Sequence, residues 1–504
     1  MLRYLTCRHF QIGVWITVLT LVPLVENATG QSIEWVRQYG TPTWDEARGV
    51  ATDGMGGIYI SGHTIGALGG GTTSGFDPFL TKFDQSGNLL WERRIPTSGD
   101  ESHISVASDG AGQIYISGST RGNLGGTNAG ESDAFLTQFD ASGNLMWSRQ
   151  SGTIEFDHAY GVWADHLGHV YIAGATRGDL GGINAGPDQS QAKYDAVVSK
   201  FNEQGDLLWT RQFGDAGNDL IFGISGDSFG NIFVAGETRG NLDGTNGGIV
   251  DAFVSRFDGN GNQVWIRQFT TDHGTSAQAV ASDALGNVYL SGWTGGDLEG
   301  ESAGKEDIFL SKFDINGNQI WDRQFGTDQT DWGQGVVTDE SGNVYVTGYA
   351  KNVLGGEYAG STDAIISKFD ASGNQYWIRQ LGTSARDWPF GVATDGAGSV
   401  YFTGLTSGAL AGPATVIDAF LVKIDDSLAG DYNGDGAVNA ADYTVWRNGL
   451  ATRTYADFAY QVWRSNFGQN ELGDFAVNVP EPTGWYLLLV GVLGFLSRYR
   501  DRDK

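Results

Sequence analysis

Cysteine is almost missing from this chain: Cys7 is the single one in 504 residues. A disulfide-stapled scaffold is therefore excluded, and stability outside the cytoplasm would rest on packing and on any bound metal. Basic residues are also scarce, 31 against 59 acidic, giving a formal net charge of −28. Phosphate backbones and anionic lipids call for a positive face, so nucleic acid is excluded as a partner class. Proline is rare (9 residues) and charged residues make up only 18%. No HExxH, no Walker loop, no nucleophile elbow and no carboxylate pair in a catalytic context is expected, so no catalytic residue is assigned. What is abundant is glycine, 77 residues, with aromatics at 12%. That mixture suits many short strands joined by tight turns, and the supply of Val, Ile, Phe, Tyr and Trp is enough for a core, which argues against a low-complexity chain.

Both ends differ from the middle. Residues 1–30 read as an export signal: Arg3 and Arg8, then an apolar stretch from Ile12 to Val25, then the small residues Ala28 and Gly30. Between the ends, seven tryptophans recur at Trp35, Trp91, Trp147, Trp209, Trp265, Trp321 and Trp377, spaced 56, 56, 62, 56, 56 and 56 residues. An arginine follows two residues after each, from Arg37 to Arg379, and a leucine 33 residues after, from Leu68 to Leu410. Tyr59, Tyr115, Tyr171, Phe233, Tyr289, Tyr345 and Tyr401 are each followed three residues later by glycine. In the second unit, four strands are expected at 103–108, 113–118, 133–140 and 144–150, with period-two alternation over 134–139 and 144–150 and Asp/Ser/Gly turns within each hairpin. Four strands in a unit of this length predict an all-β, seven-bladed β-propeller over 31–426. The last unit ends at Asp425 without a Trp strand, so the N-terminal segment 32–38 is expected to complete it and remove an open sheet edge. The Gly-Asn-x-x-Trp and Tyr-x-x-Gly landmarks resemble the bacterial β-propeller repeat family; that resemblance implies the fold and no shared enzymatic activity.

Two polar positions also repeat. Asp77, Asp133, Asp195, Asp251, Asp307, Asp363 and Asp418 open the third strand of each unit. Asp45, Glu101, Asp157, Asp219, Asp331 and Asp387 lie ten residues after each Trp, with Thr275 the exception. Rings of carboxylates could hold cations at a channel mouth, but loop capping or pairing with the repeated Arg is the preferred reading. Pairing predicts a bond between Asp133 and Arg149. The third unit breaks the symmetry with six extra residues in the loop 178–195 and with His158, Trp163, His166 and His169, which form the candidate ligand site; His166 and His169 straddle a turn and are possible metal ligands. Trp44, Trp293, Trp332 and Trp388 are non-repeating aromatics, read as intersheet packing before sugar stacking.

After the repeats, 427–470 carries a calcium-loop pattern. Asp431, Asn433, Asp435, Asn439 and Asp442 place side-chain oxygens at loop positions 1, 3, 5, 9 and 12, Ala437 offers its carbonyl, and Gly436 makes the sharp turn. Asp rather than Glu at position 12, with the following Trp446-Arg447-Asn448, resembles a type I dockerin segment. A second helix is expected over 456–467, with Val462-Trp463-Arg464 repeating the pattern. A second calcium loop is missing, which puts a cohesin partner in doubt and leaves a small α-helical module clamped by Ca2+. A linker, 471–478, leads to 479–504, where Val479-Pro480-Glu481-Pro482, an apolar run from Trp485 to Leu496 and Arg498, Arg500 and Arg502 resemble the PEP-CTERM sorting signal. The resemblance implies recognition by an exosortase-type sorting enzyme and removal of the tail; the apolar run is short for a full span and suits a transient membrane anchor.

The reading of the whole is an exported, cell-surface or extracellular binding and display protein, with extracellular polysaccharide or an envelope protein as partner. The alternatives are a polysaccharide lyase or hydrolase on the same scaffold and a structural matrix protein without a specific ligand.

Overall fold

The computed structural model describes residues 32–68, 75–185, 193–244, 248–298, 302–396 and 398–426, together with the single positions 438, 440, 443, 444, 447, 464 and 467. Within them, 28 strands form seven four-stranded antiparallel sheets. Blade 1 shows the pattern: an innermost strand Asp45–Thr52, then Ile58–Thr64, Asp77–Phe83 and an outer strand Leu89–Arg94. The two middle strands are buried almost throughout because both faces are covered by neighbouring blades. The core accordingly lies between blades. Between blades 3 and 4, for example, Tyr171, Val198, Ile221, Val234, Phe253 and Phe257 pack together, and full burial of each such side chain stabilises the fold by roughly 1.5–3 kcal/mol.

The sequence landmarks have local causes. In the first hairpin of a blade an aspartate caps the turn: Asp53 Oδ1 accepts from the amides of Met55 and Gly57 at 2.9 and 2.7 Å. The repeated tyrosine reaches back to the same carboxylate, Tyr59 to Asp53 and Tyr289 to Asp283 both at 3.1 Å. The glycine three residues on is required because each innermost strand bulges and presses a carbonyl against it; a side chain at Gly62 would run into the carbonyl of Glu46.

Two sets of repeated bonds tie the blades into a ring. On the face where the innermost strands begin, an amide at or just before the start of each strand donates to the residue preceding the third strand of the previous blade, from Glu101 to Phe76 (2.9 Å) round to Asp387 to Thr362 (2.9 Å). On the opposite face, six of the seven repeated indoles donate to a carbonyl of the next blade's second hairpin turn, as Trp91 does to Ala141 (3.3 Å), and the seventh, Trp377, donates to Asp426 (2.9 Å). The ring closes as expected. The N-terminal strand Ser32–Tyr39 pairs antiparallel with Asp418–Asp425 as the outer strand of blade 7, and Asp45 donates to the Ile417 carbonyl at 2.9 Å.

The predicted Arg149–Asp133 pair does not form. Arg149 instead spans the blade boundary, donating to the carbonyls of Gly205 (2.9 Å) and Gln204 (2.8 Å), with its guanidinium 5.2 Å over the Trp147 ring. Side chains alternate along a strand, so Arg149 points away from the sheet face where Asp133 sits and the next residue meets it: Gln150 donates to Asp133 at 2.9 Å. The same Gln–Asp bond recurs in six blades, and in blade 1 Arg94 takes the glutamine's place 3.3 Å from Asp77.

The signal and sorting-signal readings at 1–30 and 479–504, and the calcium ligands Asp431, Asn433, Asp435, Ala437, Asn439 and Asp442, lie outside the described residues. Of the C-terminal segment, Ala440, Tyr443, Thr444, Arg447 and Arg464 are helical, and the Thr444 hydroxyl donates to the Ala440 carbonyl at 3.3 Å. Among the described residues no helix is long and apolar enough to cross a membrane.

Candidate functional site

Chemistry in a repeat protein is best sought where copies differ, and of the positions at which the seven innermost strands differ, one faces the propeller axis. Each bulges once: the residue without a cross-strand partner is Arg48 in blade 1, Tyr160 in blade 3, Phe222 in blade 4, Gln278 in blade 5 and Gln334 in blade 6. In blade 7 Phe390 and Gly391 both drop out of the pairing. The bulge turns these side chains onto the propeller axis, where they line a cavity of about 260 Å³. Glycine or a small residue follows most of them because neighbouring innermost strands crowd together at the axis; a side chain at Gly49 would sit 2.9 Å from the Val106 amide, and one at Gly223 2.8 Å from that of Val280.

Blade 2 departs further. His103 has φ of 59°, the one non-glycine residue with positive φ among those described. This left-handed kink exchanges two roles: Ile104 is buried in the core between blades 1 and 2, and His103 reaches the cavity. Its ring lies 4.5 Å from that of Tyr160, which meets Phe222 edge-on at 5.5 Å. Burial, helped by Arg48, His158 and His63, lowers the His103 pKa to about 3. Across the axis Arg48 lies 4.6 Å over the Phe390 ring and pairs with Glu46 at 2.6 Å. The Tyr160 hydroxyl and the Gln334 amide have no hydrogen-bond partner among the described residues, and Gln278 has only Ser276, at 2.7 Å.

Of the four candidate residues in the third unit, the structure brings only His158 to this site. It is the second residue of the strand Asp157–Ala164 and bonds Ser119 Oγ through Nδ1 (3.0 Å) and the Tyr194 hydroxyl through Nε2 (3.4 Å), 5.4 Å from His103. Burial lowers its pKa to about 4. Trp163 packs on Tyr171 at 5.2 Å. His166 and His169 sit at the other end of the strand, about 25 Å away for eight extended residues. There His166 Nδ1 meets the Asp109 carbonyl (2.7 Å) and His169 Nδ1 meets Asp165 (2.9 Å). Among the described residues no group of three or more His, Cys, Asp or Glu is arranged to hold a metal ion.

The two carboxylate rings cap loops. Glu101 takes the Thr120 hydroxyl at 2.6 Å and that of Thr97; Asp157 takes the Thr153 amide at 2.5 Å and the Thr176 hydroxyl; in blade 5 Thr275 does the same work through Thr294 at 3.3 Å. Burial raises the pKa of Glu101 to about 7 and of Asp219 to about 6, against the hydrogen bonds that favour their ionised forms. The non-repeating tryptophans stack between blades: Trp293 on Trp332 at 5.6 Å, and Tyr349 on Trp388 at 5.1 Å. One catalytic spelling had gone unnoticed in the sequence. Gly226-Asp227-Ser228-Phe229-Gly230 fits G-x-S-x-G, yet Ser228 is exposed in a β-hairpin turn and no helix follows it, so the strand–turn–helix context of a nucleophile elbow is lacking.

Sequence reasoning missed the axial ring. Its only signal was negative, one of several positions after the repeated acid at which the seven units disagree.

Comparison with known proteins agrees with the repeats. Residues 34–70, 208–243, 264–299, 320–355 and 377–410 match the family described as Beta-propeller repeat. A regulatory protein, FlaEY, of Caulobacter vibrioides is 27% identical over 202 residues, covering 36% of this chain and 21% of that protein. A WD repeat-containing protein of Acanthamoeba polyphaga mimivirus is 21% identical over 77% of this chain and 37% of its own length. The chain thus spans well under half of either relative. Among solved structures, the Pan2 WD40 domain of Neurospora crassa covers 79% of this chain and 97% of its own, at 11% identity and a TM-score of 0.44.

Proposed function

We propose that this chain is a binding and display protein whose ligand enters the axial cavity at the face where the innermost strands begin. The observation that supports this is the ring Arg48, His103, Tyr160, Phe222, Gln278, Gln334 and Phe390: the landmark side chains repeat because they serve the blade, whereas these vary, converge on one axial cavity, and several keep unused hydrogen-bonding groups. Polysaccharide or an envelope protein is the partner class. The sequence supports the rest of the reading: export by residues 1–30, a Ca2+-clamped module on Asp431, Asn433, Asp435, Ala437, Asn439 and Asp442, and surface sorting by an exosortase-type enzyme through 479–504.

The test fills the cavity. The double variant Gln278→Trp/Gln334→Trp is expected to lose binding on an array of glycans and envelope proteins while keeping its melting temperature. Unchanged binding by the filled variant would remove the cavity as the site. For the calcium module, calorimetric titration with Ca2+ is expected to give a saturable signal that Asp431→Ala abolishes; a flat titration of the unaltered chain rejects it.

A further inference from the structure

Resting on that reading, the cavity also carries information about what it takes. Its charge is internally cancelled. Arg48 is the one permanent cation in the ring and already faces Glu46 at 2.6 Å, and the neighbouring imidazoles of His103 and His158 stay neutral because burial disfavours their cations. An anion would have to compete with Glu46 for Arg48, and a cation would find no carboxylate free. A purely apolar ligand would bury the Tyr160 hydroxyl and the Gln334 amide without partners, at the desolvation cost of each. A peptide strand is disfavoured for a backbone reason. The innermost strands do present sheet edges to the axis, but each is bulged at the ring position, which interrupts the ladder that strand addition needs. The volume, about 260 Å³, lies below the roughly 300–1,000 Å³ of common small-molecule sites, so the occupant is one compact unit.

We infer that the ring holds a single uncharged sugar unit, the end of a neutral glycan, with its apolar ring face against Phe222, Tyr160 or Phe390 and its hydroxyl edge on Arg48, Gln278 and Gln334. A pyranose has both surfaces at this scale, one face of C–H groups and a rim of hydroxyls that donate and accept. Amides and a guanidinium satisfy those hydroxyls without needing charge on the ligand. Extension of the glycan toward blade 3 would pass His158 and Tyr194, over which Arg177 lies at 5.5 Å from the Tyr194 ring.

Calorimetry or saturation-transfer NMR on the full chain tests this with four probes: methyl glucoside, N-acetylglucosamine, glucuronate and N-acetylglutamine amide. Binding of one or both neutral sugars is expected, weakened roughly three- to tenfold by Gln334→Ala and by Tyr160→Phe, with melting temperatures unchanged. Tyr160→Phe keeps the ring and so separates a lost hydrogen bond from a lost wall. Preference for glucuronate, binding of the amide alone, sugar binding insensitive to both variants, or silence with every probe would each overturn the inference. If the amide binds and the tryptophan-filled variant loses it, the cavity remains the site and only the sugar is wrong; binding that survives filling removes both.

Discussion

In four blades an indole N–H and a basic side chain converge on one carbonyl of the neighbouring hairpin turn, as Trp321 and Lys312 do on Ala371 at 3.3 and 2.8 Å. At blade 6 the neighbouring turn would lie where the third strand of blade 7 ends, and there a carboxylate stands in. Asp426 takes the Trp377 indole at 2.9 Å, Lys368 at 2.7 Å and the Tyr345 hydroxyl, all buried. Asp426→Ala takes the facing carboxylate from the buried Lys368 ammonium and from two further buried donors, so it is expected to cost about 3–5 kcal/mol in denaturant unfolding; a loss within the error of the measurement would refute the role. Glu101 sets a second residue-scale test. Burial holds its folded pKa at about 7, above the ordinary glutamate value of 4.5, so the folded state holds the proton more tightly. Its stabilising effect is complete below pH 4.5 and is lost as pH rises through 7. Glu101→Gln should remove that slope, and the melting-temperature difference between native chain and variant should grow in favour of the native chain from pH 7.5 to 5. A difference independent of pH would contradict the assignment.

Among whole strands, the hairpins were legible because aspartate, glycine and tyrosine recur for reasons internal to a blade. The partner of the third-strand aspartates was not. Arginine and glutamine sit side by side in every outer strand but blade 1, where Arg94 replaces the glutamine, and spacing alone cannot say which faces the carboxylate; alternation relative to the actual register decides it. Gln150 both donates to Asp133 and accepts from the Leu124 amide at 2.9 Å, so it ties the long loop to the outer strand. Gln150→Ala should therefore cost roughly 1–3 kcal/mol, more than an ordinary surface change, since a buried carboxylate loses a partner. Hydrogen exchange should report it locally, with faster exchange at Leu124 and Gly125 than in the rest of the blade. Equal exchange throughout would argue against the tie. The axial ring was illegible for a related reason. A bulge leaves no residue-type signature, and the kink at His103 exchanges inward and axial positions in one blade only.

For the molecule as a ring, closure is the property on which the rest depends, and it is testable because the closing strand comes from the far end of the chain. Without residues 32–39, the strand Asp418–Asp425 becomes an open, apolar edge, Asp418 loses Gln38 (2.7 Å), and the indole contact of Trp35 with the Gln85 carbonyl (3.2 Å) disappears. A chain beginning at residue 41 should accordingly melt lower and self-associate. The vacated edge has a defined complement, so a synthetic peptide of residues 31–40 should bind it one to one by strand addition and restore both the melting temperature and the monomer. Substituting Trp35 in that peptide by alanine should abolish the rescue, because main-chain pairing alone would be left without the side chain that spans to blade 1. A shortened chain as stable and monomeric as the original, or a peptide that binds without regard to Trp35, would mean that blades 1 and 7 hold together through their inner strands and that the terminal strand is ornamental.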